Sequence, residues 1–248
     1  MAKSSFHTER NTKSVDKPNE DCFISDDKNG IYIVLDGVSR DKENEIYPNP
    51  SPSTEISKIA LEIVYEELLQ QCNNNSINIY DTICKANTAA YHYNEKNRKN
   101  VGDFPSGTVG VVAVIRDGIF SYGYIGDCIG ALIEKDKMKE FTKMQTKNIA
   151  EHKGEFSAYE IRNIICNNKN HMCGYGVING QEGAKDFIIT GEFSVNTETI
   201  ILLASDGCEL IFKNASLDEL KTLSAAELIS TYTNINAADD RTLILIRT

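Results

Sequence analysis

Five acidic positions in this chain stand where an apolar run begins or stops. "NED" places Glu20 and Asp21 just before the apolar "CFI"; Asp36-Gly37 ends "IYIVLDG"; Asp127 follows "YIG"; Asp206-Gly207 ends "IILLASDG"; and Asp239-Asp240 precede "RTLILIRT". Gathering carboxylates costs Coulomb energy, and withdrawing each from water costs several kcal/mol, unless a cation offsets both. The donors are oxygens alone, with no histidine near them, which favours Mg²⁺ or Mn²⁺ over zinc. A glycine after the acid lets the chain bend and bring its own carbonyl close to an ion.

An Asp-Gly pair after a strand is also an ordinary turn, because Asp caps its own backbone and Gly tolerates positive φ. "VIRDGIF" is such a case: Asp117-Gly118 separates two strand-like runs and needs only hairpin chemistry. Periodicity alone does not separate turns from ligands.

The elements that must carry these acids are legible in outline. "IYIVLD" is a β-branched strand, followed by the polar, Pro-rich loop "SRDKENEIYPNPSPS". From Ser53 to Gln71 the residues Ile56, Ile59, Ala60, Ile63, Val64 and Leu68 recur at helical spacing, with Ser53 or Thr54 as N-cap. A second helix covers Ile77 to Asn97. "TVGVVAVIR", "IFSYGYIGD" and "IGALIEK" then read as an antiparallel meander. A polar segment over residues 142–183 gives no clear pattern. Strands return in "DFIIT" and "TIILLAS", two short helices cover Leu217–Leu223 and Ala225–Thr233, and "RTLILIRT" is the last strand. The fold class is α+β, with sheets packed on each other and covered by helices.

Composition narrows the class of function. The chain has 248 residues, no internal repeat and no composition break, so residues 1–248 are expected to form a single domain. With 41% apolar and 25% charged residues it has globular usage, and its net charge of −10, without a marked basic cluster, argues against nucleic-acid and membrane partners. No run reaches the ~18 apolar residues of a membrane span, and "MAKSSFHTER" lacks the apolar core of a secretory signal. The seven scattered cysteines suit free thiols in a cytoplasmic protein. "CNNKNHMC", from Cys166 to Cys173, lacks a fourth zinc ligand at suitable spacing and reads as a loop.

In order and spacing, "NED", "VLDGVS", "SGTVGVVAVI", "GYIGDCIGAL", "LLASDGCELI" and "ADDRTLILIR" resemble the type 2C (PPM family) metal-dependent protein serine/threonine phosphatases, over nearly the whole chain. "YGVINGQEGAKDFIITGEF" is similar to the segment that bacterial members carry before the late Asp-Gly strand. The resemblance implies an antiparallel β-sandwich with helices on both faces, a four-layer αββα arrangement. It implies that Asp36 bridges two Mg²⁺ or Mn²⁺ ions, with the Gly37 carbonyl on one of them. Asp206 and Asp239 then complete the first ion, Glu20 serves the second directly or through water, and Asp21 orients bound waters. Asp127 is the candidate for a weaker third ion.

The implied reaction is attack of a metal-bridging water on the phosphorus of phosphoserine or phosphothreonine. The implied partner is a phosphorylated protein, the substrate of a serine/threonine kinase, and no cysteine has a role. "CNNKNHMC" has no arginine in the position that a tyrosine-phosphatase loop requires.

The chain also departs from the family pattern. Asp16 stands where many members have a phosphate-clamping arginine, which makes Lys17 the substitute; Val38 stands where eukaryotic members have a histidine. "GDCIGA" has Cys128 and Ile129 in place of Ser-Arg, and "FTKMQT" has Gln145 where an Asp usually follows Thr. These changes keep open a catalytically weak pseudophosphatase that binds phosphoproteins; a second alternative is a non-enzymatic cation-binding domain in which the acids stabilise the fold. Of the adjacent acids Asp239 and Asp240, alternation along a strand lets only one face the metals. The resemblance selects Asp239 and leaves Asp240 to cap the turn or pair with Arg241 at the surface.

Overall fold

The computed structural model describes residues 2–13, 16–38, 47–97, 105–135, 137–232 and 239–248. Strands β1 (Lys3–Glu9) and β2 (Cys22–Asp26) precede β3 (Ile31–Gly37), whose Ile31–Leu35 run is fully buried. Side chains alternate across β3, and each face meets a different layer. Ile31, Ile33 and Leu35 pack under helices α1 (Pro52–Asn74) and α2 (Ile79–Asn97), while Tyr32 and Val34 pack against a second sheet.

Helix α1 forms because Ile56, Ala60, Val64 and Leu68 repeat every fourth residue and are all buried. It starts earlier than the sequence suggests. Ser51 is the N-cap, its hydroxyl accepting the N–H groups of Ser53 and Thr54, and Pro52 opens the first turn, where its missing N–H costs nothing. The first part of the loop expected before α1, residues 39–46, lies outside the described residues.

Strands β4 (Thr108–Arg116) and β5 (Ile119–Ile125) form the expected hairpin, with Asp117 and Gly118 both at positive φ (49° and 75°). The expected three-strand meander ends there. At Gly126, with φ of 89°, the chain leaves the hairpin, and β6 (Ile129–Glu134) crosses to the other sheet, where it pairs with β7 (Lys137–Glu140). Two short helices follow, α3 (Lys147–Glu151) and α4 (Ala158–Glu160), the latter running into a π turn over Ile161–Ile165. Strand β8 (Ile189–Ser194) starts three residues later than "DFIIT" suggests, because Asp186 and Phe187 close a 3₁₀ turn. Then come β9 (Ile200–Ala204), α5 (Glu209–Asn214), α6 (Leu217–Thr222), α7 (Ala225–Tyr232) and β10 (Arg241–Arg247).

One sheet has the order β1-β10-β9-β6-β7 and the other β2-β3-β4-β5-β8, with every pairing antiparallel. Val34, Val111, Leu203 and Ile244 meet between the sheets, and α5–α7 cover the outer face of β6, β9 and β10 through Ile211, Leu220 and Leu228. The result is the four-layer α+β sandwich. Among the described residues no helix is long and apolar enough to cross a membrane. All seven cysteines are free; Cys166 and Cys173 are buried, and His171 accepts the N–H of Cys173 and packs edge-on against Phe156.

Candidate metal centre

The crossing link and three strand ends bring acids from four segments to one end of the sandwich. Asp36 ends β3; Asp206 follows β9; Asp239 precedes β10, the antiparallel neighbour of β9; and Asp127 lies on the link between the sheets. These four carboxylates line a single cavity of about 270 Å³, with Gly37, Thr146, Tyr175 and Val177 among the other walls. Among the described residues no three His, Cys, Asp or Glu side chains converge on one point at ligating distance. The carboxylates instead share the cavity walls. Two like charges ~6 Å apart repel by about 3 kcal/mol at an effective dielectric constant near 20, so the cluster is ionised together only beside a cation or with some members protonated.

The acidities carry that signature. Burial is the largest cause pushing up Asp36, Asp206, Asp127 and Asp21. Neighbouring carboxylates add to it: Asp21, Asp206 and Asp127 at Asp36, and Asp127 and Asp239 at Asp206. Two buried oxygens, Asp206 Oδ1 and Asp21 Oδ1, have no hydrogen-bond partner. A buried carboxylate oxygen without a donor is costly. A hard cation is the partner that suits such oxygens, and the donor set fits Mg²⁺ or Mn²⁺.

Asp21 sits behind the cavity. Its Oδ2 accepts the Ser205 hydroxyl at 2.7 Å, which fixes the side chain from the residue just before Asp206.

Glu20, expected to serve the second ion directly or through water, lies away from the cavity walls. It is buried; Tyr47 donates to both of its oxygens (3.0 and 2.9 Å), Ser51 donates to Oε1, and the Lys17 ammonium lies 3.3 Å from Oε2. Lys17 is buried too, with Asp240 at 3.5 Å and Asp239 at 3.8 Å. Burial alone would lower its pKa, but Asp240, Glu20 and Asp239 outweigh that and raise it. The ammonium expected to meet a substrate phosphate is a counter-charge inside the protein.

Of the adjacent acids, Asp239 is the one at the cavity, and its side chain is 54% exposed. Asp240 is not the surface residue expected. It is buried, accepting the N–H groups of Asn11 (2.7 Å) and Glu20 (2.9 Å) and the Asn11 amide (3.1 Å). Arg241 is buried as well and pairs with Glu9 at 2.8 Å.

The glycines after Asp36 and Asp206 answer to close approach. A Cβ on Gly37 would lie 2.7 Å from Glu20 Cβ, and one on Gly207 2.0 Å from the Asp240 carbonyl oxygen. These glycines let "NED" pack on the first Asp-Gly pair and the Asp239-Asp240 segment on the second.

No protein-family model matches the sequence, and no curated protein is similar to it by sequence comparison. Solved structures are similar over the full length. The serine/threonine phosphatase PstP/Ppp of Mycobacterium tuberculosis aligns with a TM-score of 0.70 at 16% identity, covering 99% of this chain and 98% of that one. The fold is that of the PPM serine/threonine phosphatases. The PstP catalytic domain in complex with two manganese ions (TM-score 0.67, 17% identity, 99% and 97% covered) and the PPM phosphatase MsPP of Mycobacterium smegmatis with cacodylate (0.66, 17%, 99% and 97%) are similar in the same way.

Within this fold, one residue's role has no local signal in the sequence. Gln145, noted only as a departure, accepts the N–H groups of Gly126 (2.9 Å) and Gly176 (3.1 Å) through Oε1 and donates from Nε2 to the Phe187 carbonyl (2.7 Å). Its neighbour Thr146 donates to Asp127 Oδ2 at 2.9 Å. This pair therefore fixes the link carrying Asp127 and the stretch between Tyr175 and Val177, two walls of one cavity. A Gln flanked by a Thr three residues after a buried Thr142 has no periodic signature, so only contacts reveal it. Cys128 and Ile129, in place of Ser-Arg, are buried in the two cores on either side of β6.

Proposed function

We propose that this chain is a metal-dependent protein serine/threonine phosphatase that hydrolyses phosphoserine or phosphothreonine with water, using two Mg²⁺ or Mn²⁺ ions and a weaker third. The observation that carries the reading is the meeting of Asp36, Asp127, Asp206 and Asp239 in one cavity of a PPM fold. Asp36, Asp206, Asp239 and the Gly37 carbonyl are the residues to hold the two ions, and Asp127 the third. When bound, such ions supply Lewis acidity that lowers the pKa of water towards neutrality and offsets charge on the phosphoryl group.

The chain's own residues supply position and counter-charge. Asp21, held by Ser205 on one oxygen, backs the cavity; burial is the largest cause raising its pKa in the metal-free protein, with Asp240 and Asp239 adding to it and the Ser205 and Thr242 hydrogen bonds opposing it. Lys17 neutralises Glu20 and Asp240 and holds the edge of Asp239. Glu20 thereby supports the site from behind, and the phosphate is left to the cations.

The deciding experiment is turnover of a phosphothreonine peptide with Mn²⁺, with EDTA, and by Asp36→Asn. Turnover with Mn²⁺, its loss in EDTA, and a loss of at least ~10²-fold in a folded Asp36→Asn protein are expected. Binding of the peptide without turnover by wild type, or near-normal turnover by Asp36→Asn, would overturn the reading.

A further inference from the structure

The lysines of this acidic chain are unevenly placed. Lys135, Lys137, Lys139, Lys143 and Lys147 all fall within residues 135–147, and all five are exposed. Among the described residues the first four have no ion-pair partner, and Lys147 has only Glu151 at 3.9 Å.

Their setting is a sheet edge. β7 pairs with β6 on one side, and no described strand pairs with its other side, which leaves a row of main-chain donors and acceptors. Met138 packs into the core beneath α5–α7, so Lys137 and Lys139 project from the opposite face, the one Phe141 shares, while Glu140 projects with Met138. Lysines on an edge deter pairing with a second copy of that edge. Across residues 135–147 the five lysines outnumber the two acids, Asp136 and Glu140, so the stretch is net positive and admits an acidic strand.

The edge leads to the cavity. Glu140, at the end of β7, is in register with Ala131, and the chain continues past Lys143 to Thr146, which is bonded to Asp127. A strand added beside β7 in the antiparallel sense shared by every other strand pair of the sheet would run from the cavity outwards, its N-terminal end at the carboxylates. Lys139 is in register with Leu132, five positions beyond Asp127. At about 3.3 Å per residue that is roughly 16 Å, or about five residues of an extended peptide.

Resting on the phosphatase reading above, we propose that β7 and its lysines are a docking edge for substrates whose phosphorylated residue is followed by acidic residues about three to seven positions towards the C-terminus. The edge would pair with the substrate main chain, and the lysines would select its charge.

The test compares three phosphopeptides of one core sequence: acidic C-terminal flank, acidic N-terminal flank, and neutral. The C-terminally acidic peptide is expected to show about tenfold higher kcat/KM, expressed through KM and shrinking as salt rises from about 0.05 M to about 0.5 M. The double variant Lys137→Glu/Lys139→Glu should lose that preference and keep turnover of the neutral peptide. Binding of the same peptides to Asp36→Asn protein, read by fluorescence anisotropy, is independent of activity. Equal kcat/KM for the three peptides, a preference that survives the double variant, or displacement of the acidic peptide by single-stranded RNA of equal charge as readily as by the peptide itself would overturn the docking edge. Lysine-dependent binding of the acidic peptide with no hydrolysis of any peptide would support the edge and overturn the phosphatase reading instead.

Discussion

Asp240 accepts the backbone N–H of Glu20 at 2.9 Å, across 220 positions of sequence. Each is the immediate neighbour of an acid of the candidate centre, so a buried structural contact and a chemical site are interleaved residue by residue.

That interleaving predicts a division of labour between adjacent aspartates. Asp240→Ala would leave the N–H groups of Glu20 and Asn11 without their acceptor and Lys17 with one carboxylate fewer. A loss of roughly 3 kcal/mol in unfolding free energy is expected. Asp239→Asn, at a half-exposed side chain, should cost less than about 0.5 kcal/mol while lowering turnover by orders of magnitude at saturating Mn²⁺. Urea unfolding and phosphopeptide turnover on both variants check this, and the reverse ranking would place Asp240 at the metals.

The raised acidities predict how metal-free protein responds to pH. Asp21 is pushed to about 7 and Asp206 to about 8, burial first among the causes of each. Their folded-state values exceed the unfolded ones, so the folded form binds more protons, and their contribution to stability is fully present below about pH 4 and lost as pH rises through 7 and 8. Carboxylates with lowered values, such as Asp26 and Glu219, act in the opposite sense but only in more acid solution. In EDTA the urea midpoint should therefore fall between pH 5.5 and pH 8, and Mn²⁺ should restore it at pH 8 by replacing the protons. A midpoint in EDTA that climbs over this range contradicts the assignment.

Gln145→Met keeps the side-chain length and removes three contacts to main-chain groups. Weaker Mn²⁺ binding is expected, measured by calorimetry, together with about 1–3 kcal/mol of lost stability. Placed on Asp127→Asn, the same change should leave Mn²⁺ affinity unaltered, because the link it positions no longer carries a charge. Additive losses of affinity would show that Gln145 acts on metal binding independently of Asp127.

The strands that carry most of the acids were legible because they are buried on both faces, and unbroken runs such as Ile31–Leu35 and Ile200–Ala204 have no other good reading. The strands at the edges were not. In "KSSFHTE" one large apolar residue, Phe6, stands among polar ones, and "KMKE" offers only Met138; both become strands through pairing with β10 and β6, a long-range cause with no local signal. The same limit hid the true partners of Lys17 and Asp240. Their charges were visible, but burial beside one another is decided by the meeting of distant segments. Motif order selects Asp36, Asp127, Asp206 and Asp239, and all four line one cavity because each lies at a strand end or link whose position the core dictates.

The pairing of β1 with β10, Lys3 against Arg247, has a consequence for biosynthesis. Contacts of such sequence separation form late, after the local helices and hairpins. A growing chain can shape α1, α2 and the β4–β5 hairpin early, yet Asp239 is supplied and Asp36 is enclosed only once β10 has emerged and docked between β1 and β9. The nascent chain thus lacks the assembled acidic cluster until β10 docks, and on the proposed reading cation binding would report that docking step.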